Sequence, residues 1–275
     1  MRNHARAIGE IDTRVQRRFA AVVVNELFLT TGLAIDGPPI LVKGGTAMDL
    51  RRGIAPARLS RDWDAVVRAD LDAFLAAARP ALEAGWSGFT AYLAREEVIH
   101  VPGLAVSPRR FQVKLSYRGK PFATVPVEIS EPEGDSALEY DTIDVREYRG
   151  IGIEPEHPVY CLSVRYQIAQ KIHACTDPLD PNTPNTRARD LVDLQLLAPL
   201  VDAADFADVR RACLEVFEGR GRHPWPPTVR TWPDWAVLYR AATETLGPDV
   251  ATDVNAAAEW LSTFVGAINA ATSDP

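Results

Sequence analysis

Ile40-Leu41-Val42-Lys43-Gly44-Gly45-Thr46, followed a few turns later by Ser60-Arg61-Asp62-Trp63-Asp64-Ala65-Val66-Val67, decides how this chain reads. Three apolar residues form a short strand that runs into a Gly-Gly turn, and a helix to about Arg52 follows it. Glycines at such a turn let backbone amides approach a phosphate closely, and the helix N-terminus adds favourable partial charge. Taken alone, the turn carries little weight. Sixteen residues past Thr46 comes Asp62, and on a strand Asp62 and Asp64 point to the same face while Trp63 and Ala65 point to the other. Two neighbouring carboxylates repel unless a cation sits between them, which makes a divalent metal the natural partner.

A third element is Val125-Pro126-Val127-Glu128-Ile129-Ser130. Its apolar residues share one face and leave Glu128 on the other, so that Glu128 completes a triad with Asp62 and Asp64 if the two strands are neighbours. A glycine turn before a helix, a strand with paired acids and a later single carboxylate are the parts required by two-metal phosphoryl transfer. Further on, the helix expected over 163–176 sets Lys171 beside Ile168 and Ile172. A lysine on a half-buried apolar face needs an anionic partner, which makes Lys171 a candidate triphosphate ligand. In the next helix, capped by Thr186, Asp190 and Asp193 lie three apart on one face.

Around these motifs the 275 residues divide in two. Helices are expected over 10–31 and 71–84, and strands near 59–67, 110–117 and 123–130, the last two joined by a turn at 118–121. The segment 131–157 reads as loops with a little strand, and helices occupy 163–176, 186–200, 204–218, 235–246 and 249–271. The expectation is an α/β (α+β) half with a mixed sheet over residues 1–155 and an all-helical half over 156–275. Composition agrees with a globular protein: 47% hydrophobic and 24% charged residues, with a net charge of −7. That acidity argues against a polybasic nucleic-acid binder, though not against a local basic groove. Only four of the 30 basic residues are lysine, and Lys43 and Lys171 both fall within the motifs. Three cysteines without a CxxC pair build neither a disulfide framework nor a zinc knuckle, and five histidines show no ligand spacing. With no secretory signal and no apolar run long enough to span a bilayer, a cytoplasmic protein without a membrane partner is expected.

Four ordered segments, LVKGGTAMDLRRG (41–53), RLSRDWDAVV (58–67), QIAQKIHA (167–174) and RARDLVDLQLL (187–197), resemble the motifs of AbiEii/AbiGii-type toxins. These are nucleotidyltransferase-like toxins of abortive-infection and toxin–antitoxin systems, including a tRNA-modifying mycobacterial branch. The stretch through Pro227, Trp232, Trp235 and Tyr239 is similar to the tail helices of that family. The resemblance implies a DNA polymerase β-like nucleotidyltransferase domain followed by a helical domain. Lys43, Gly44, Gly45, Thr46, Ser60, Arg61 and Lys171 would bind the nucleotide; Asp62 and Asp64, with Glu128 as third ligand, would hold Mg²⁺ or Mn²⁺. Lys171, Asp190 and Asp193 would join Asp62 and Asp64 in catalysis. The implied reaction transfers nucleotides from an NTP to an RNA 3′ end, with the tRNA acceptor stem as leading substrate and a cognate antitoxin as partner. The chain departs from the family at Met48-Asp49, at the bulky Trp63 between the acids, and at Pro126, which points to an edge or bulge in that strand.

Arg51, Arg52, Arg58, Arg61 and Arg68 are placed to meet RNA phosphates. Two other readings compete. A small-molecule acceptor would need an acidic pocket, for which 131–144 is the candidate; a non-catalytic nucleotide-binding module would bind NTP without transferring it. A protein kinase is excluded, because no HRD-like loop and DFG follow in order.

Overall fold

The structure is a computed structural model that describes residues 12–51, 62–100, 107–145, 154–178, 183–244, 246 and 249–271. The chain forms two compact units: the first takes the described residues up to 132 together with 137–162, and the second takes 133–136 and the residues from 163 onward.

The first unit is a seven-stranded mixed sheet with helices. In chain order it runs α1 (Asp12–Leu29), β1 (Ile40–Lys43), α2 (Gly44–Arg51), β2 (Trp63–Val67), α3 (Leu71–Ala84), β3 (Phe89–Val98), β4 (Arg109–Tyr117), β5 (Lys120–Ser130), β6 (Tyr140–Ile143) and β7 (Val159–Leu162). The strands lie in the order β3-β4-β5-β2-β1-β7-β6. β1 is antiparallel to β2 and parallel to β7, while β2 is parallel to β5. Alternation assigns the faces. Trp63, Ala65, Phe111, Val127 and Ile129 are buried in one core with Phe19, Val23 and Leu27 of α1 and Phe74 and Leu82 of α3. Phe28 of α1 meets both Trp63 and Phe74 at ring-centroid distances of 5.4 and 5.5 Å. The bulk of Trp63 is therefore core packing, directed away from the acids on either side of it. At roughly 25 cal/mol per Å² of apolar surface removed from water, such aromatic contacts supply much of the driving force that seats α1 and α3 on the sheet.

Sequence reasoning misses β3. Its alternation is clear only over Phe89, Ala91 and Leu93 and dissolves into Arg95-Glu96-Glu97, so strand pairing, not pattern, carries it to Val98. A register shift between Ala94 and Glu97 accommodates Arg95 at φ +56°, a bulge on an edge strand. Pro126 is not on an edge strand, because β5 lies between β4 and β2. Pairing with β2 begins only at Val127, however, so at Pro126 the strand has β4 alone as neighbour and the missing N–H leaves no gap on the β2 side.

The second unit is helical: α4 (Val164–Thr176), α5 (Ala188–Leu197), α6 (Phe206–Arg220), α7 (Trp235–Thr243) and α8 (Val254–Ala270). Asp253 caps α8 by accepting the N–H groups of Asn255 and Ala256. α5 begins at Ala188, and Thr186 is not its cap; instead Asn185 accepts the Arg187 N–H at 2.7 Å and donates to the carbonyls of Ala174 and Asp177. An asparagine makes both kinds of bond at once, which a threonine cannot do with the same reach. It fastens the end of α4 to the start of α5. All three cysteines are free and buried.

Candidate active site

In the first unit the register of four adjacent strands lines up four charged residues. Lys43 of β1 pairs with Asp64 of β2, Asp64 with Glu128 of β5, and Glu128 with Arg110 of β4. Register partners share a face, so the row Lys43, Asp64, Glu128, Arg110 lies on the side of the sheet opposite Trp63 and Val127. Cations flank two central carboxylates. The Lys43 ammonium donates to Ser130 Oγ at 2.6 Å, and Arg110 Nη2 donates to Glu128 Oε2 at 2.9 Å.

The glycine turn abuts this row. Gly44 has φ +62°, a left-handed conformation that favours glycine, and a Cβ there would lie 2.5 Å from Asp64 Oδ2. Gly44 therefore serves both backbone and carboxylate. Thr46 Oγ1 donates to the backbone carbonyl of Asp62 at 2.8 Å, which ties the first turn of α2 to the residue just before β2. Asp62 stands in a bend ahead of the strand, not within it.

α2 is held from behind by two bridges, one buried and one part-buried. Arg18 of α1 makes a bidentate pair with Asp49, at 3.0 and 2.9 Å. Arg51 donates to Asp141 of β6 at 2.7 Å and to the Leu162 carbonyl of β7 at 2.9 Å. Sequence reasoning finds neither, since charged residues 31 and 90 positions apart carry no pairing signal.

The all-oxygen donor set of Asp62 and Asp64 suits a hard divalent cation, and the glycine at 44 leaves the Asp64 carboxylate uncrowded. Among the described residues no three His, Cys, Asp or Glu side chains converge as a ready-made cage. Asp64 and Glu128 are brought side by side by the register, but Glu128 is engaged by Arg110.

In the second unit, Lys171 of α4 is 9% exposed and its ammonium donates to Asp190 Oδ1 at 2.9 Å and Asp193 Oδ2 at 2.6 Å, both on α5. Burial would push the lysine pKa down; the two carboxylates outweigh it and raise it instead. Lys171 is therefore a fixed cation at neutral pH and no general base. The buried part of the cluster sets one lysine against two carboxylates, with the exposed Arg187 guanidinium 3.9 Å from Asp190 at its rim, an arrangement costly to bury for packing alone.

A family model for the nucleotidyl transferase AbiEii toxin of type IV toxin–antitoxin systems matches residues 27–262. The chain belongs to the AbiEii nucleotidyltransferase toxin family. No curated protein matches. Among solved structures the chain is similar to MenT4, a nucleotidyltransferase toxin from Mycobacterium tuberculosis H37Rv, with 18% identity, 98% of each chain covered and a TM-score of 0.51. It is also similar to a putative nucleotidyltransferase from H. pylori, with 20% identity, 94% of this chain and 95% of that one covered, and a TM-score of 0.48. The expected nucleotidyltransferase fold with a mixed sheet is thus present, and the family is one of nucleotidyltransferase enzymes.

For this AbiEii protein the basic patch expected near the acids needs correction. Arg51 is bound into the sheet as described, and Arg68 donates to the carbonyls of Ala137, Asp36 and Pro38 while lying over the Tyr140 ring. Both guanidinium groups are structural. Arg52, Arg58, Ser60 and Arg61 lie outside the described residues. The acidic pocket suggested for 131–144 also loses members, because Glu133 is a bidentate partner of Arg220 and Asp141 is the counterion of Arg51. Among the described residues no helix is long and apolar enough to cross a membrane.

Proposed function

We propose that this AbiEii-family protein transfers nucleotides from an NTP to an RNA 3′ end in the cytoplasm, with the tRNA acceptor stem as leading acceptor, and so blocks translation unless a cognate antitoxin neutralises it. The single observation that carries the reading is the placement of Asp64 against Gly44 and beside Glu128. It sets an acidic pair at the mouth of a phosphate-approaching turn. In the reaction the RNA 3′ hydroxyl attacks the α-phosphorus, a new O–P bond forms, and the bond to the β-phosphate breaks to release pyrophosphate.

Gly44, Gly45 and Thr46 present backbone amides at the start of α2 to the triphosphate, with the Lys43 ammonium alongside. Ser60 and Arg61 join the nucleotide site. Asp62 and Asp64, with Glu128 as third ligand, would hold Mg²⁺ or Mn²⁺, which would supply charge neutralisation at the phosphates and a lowered pKa for the attacking hydroxyl. Lys171 acts as a fixed positive charge toward the polyphosphate, and Asp190 and Asp193 set its position. The helical unit, whose main run begins at Ser163 and not at the expected residue 156 because Val159–Leu162 is β7 of the sheet, is proposed to contribute these three residues to catalysis.

The test is incubation of the protein with total tRNA, Mg²⁺ and each α-³²P-labelled NTP in turn, beside the double variant Asp62→Ala/Asp64→Ala. Label entering tRNA with wild type and not with the folded variant is expected, and the NTP that labels names the base. If the wild type binds nucleotide yet labels no RNA, the RNA acceptor is wrong.

A further inference from the structure

The charged row contains one residue that the reaction above leaves without a task. Arg110 is the register partner of Glu128 on one side and of Glu97 on the other. Its guanidinium bonds to Glu128 at 2.9 Å, and its side chain is 50% exposed. The hydrogen bond to Glu128 holds the guanidinium firmly in its charged form, helped by the negative charges of Glu128, Asp62 and Glu97 and opposed by partial burial. One half-exposed cation thus faces carboxylates from three separate strands or strand ends, two of which are the proposed ligands Asp62 and Glu128.

Carboxylates gathered on one face require a counter-charge, and a guanidinium on Glu128 Oε2 repels a divalent ion brought to the same carboxylate. An exposed arginine gives up such a pair cheaply, because water and salt already weaken it. A guanidinium is also the side chain whose geometry best fits a phosphate. We propose that Arg110 is an exchangeable counter-cation: it occupies Glu128 while no divalent ion is bound, and when Glu128 turns to the ion the released guanidinium takes a phosphate oxygen of the incoming nucleotide. This rests on the reaction proposed above and adds a specific consequence. Ion and nucleotide help each other to bind, and part of that coupling passes through Arg110.

The experiment measures Mn²⁺ binding to the full chain by electron paramagnetic resonance, and binding of a non-transferable α,β-methylene NTP by calorimetry with and without Mn²⁺. Wild type, Arg110→Gln and Arg110→Lys are compared after circular dichroism and thermal melts establish that all are folded. Without nucleotide, Arg110→Gln is expected to bind Mn²⁺ roughly fivefold more tightly than wild type, the effect of removing a competing exposed ion pair. With Mn²⁺ present it is expected to bind the nucleotide several-fold more weakly, and the factor by which Mn²⁺ improves nucleotide affinity shrinks. Arg110→Lys, which keeps the charge and loses the fork, falls between. Unchanged or weaker Mn²⁺ binding by Arg110→Gln, in a protein whose wild type binds both ligands, overturns the role of Arg110 alone. A wild type that binds neither Mn²⁺ nor nucleotide overturns this role and the reading of the site together.

Discussion

Gly44 and Asp64 are in contact across the turn between β1 and α2, so that a methyl group at residue 44 would stand 2.5 Å from Oδ2 of Asp64. The positive φ of Gly44 and the position of the Asp64 carboxylate are one arrangement, and a side chain disturbs both.

Gly44→Ala is therefore expected to lower nucleotide transfer at least tenfold and to destabilise the fold by ~1–2 kcal/mol, read from activity and thermal melts. Gly32→Ala is the control: Gly32 has φ +66° with no atom near a would-be Cβ, so it carries the backbone strain alone. Equal losses of activity in the two variants would show that crowding of Asp64 is immaterial.

Lys171 and its two carboxylates predict an asymmetric mutational response. Lys171→Met takes from Asp190 and Asp193 the buried ammonium that both accept from, leaving Arg187 3.9 Å from Asp190, and is expected to cost about 3–5 kcal/mol in denaturant unfolding. Asp193→Asn keeps the Asp190 pair and should cost clearly less. Because the Lys171 pKa is raised above its ordinary 10.5, the stability it contributes is fully present below that value and is lost only as the pH climbs through the higher folded value. Activity between pH 6 and 9 should show no limb from this group; a limb removed by Lys171→Arg would contradict it.

The buried pair of Arg18 and Asp49, 4% and 6% exposed, offers a double-variant test. Asp49→Ala removes the bidentate partner of a buried guanidinium and is expected to cost about 3–5 kcal/mol. Arg18→Met/Asp49→Leu removes both charges and should recover most of that loss. A double variant as unstable as the single one would mean that the bridge is worth more than apolar packing there.

His173 makes acid stability measurable. Burial first, then the charge of Arg220, with His223 and Arg222 adding to it against Asp177, lower its pKa to about 3. Arg220 Nη1 lies 3.2 Å from Nδ1, and since a guanidinium only donates, Nδ1 must be the acceptor in the neutral ring. The unfolded chain takes up this proton near pH 6.5, so the stability is present above 6.5 and falls as the pH drops from there toward 3. His173→Phe is expected to flatten the fall in unfolding free energy between pH 7 and 5 by about 2 kcal/mol. An unchanged slope would assign acid sensitivity elsewhere.

Arg51→Ala is expected to lower the melting temperature through loss of its bonds to Asp141 and Leu162, while leaving the salt dependence of RNA binding unaltered. A change of about one in the slope of log K against log salt would return Arg51 to the RNA-facing surface.

Local pattern determines much of this protein. The Gly44-Gly45 turn, the two acids flanking Trp63, the alternation that sets Glu128 apart from Val127 and Ile129, and the helical periodicity from Val164 onward all depend on residues close in sequence, and each is readable without coordinates. So was the requirement that Lys171 find an anion, because burying an unpaired charge is prohibitively unfavourable. Only the tertiary structure decided which anion it found and how the strands were ordered. The parallel pairing that sets Asp64 beside Glu128, the Arg110–Glu128 bond, and the commitment of Arg51 and Arg68 to carbonyls and Asp141 join residues from 18 to 111 positions apart. Such partners are chosen by which strands share an edge and which cavities a long side chain fills. No periodicity in the chain encodes that choice, and for that reason two of the arginines expected in an RNA-binding patch, Arg51 and Arg68, turned out to be fasteners of the fold.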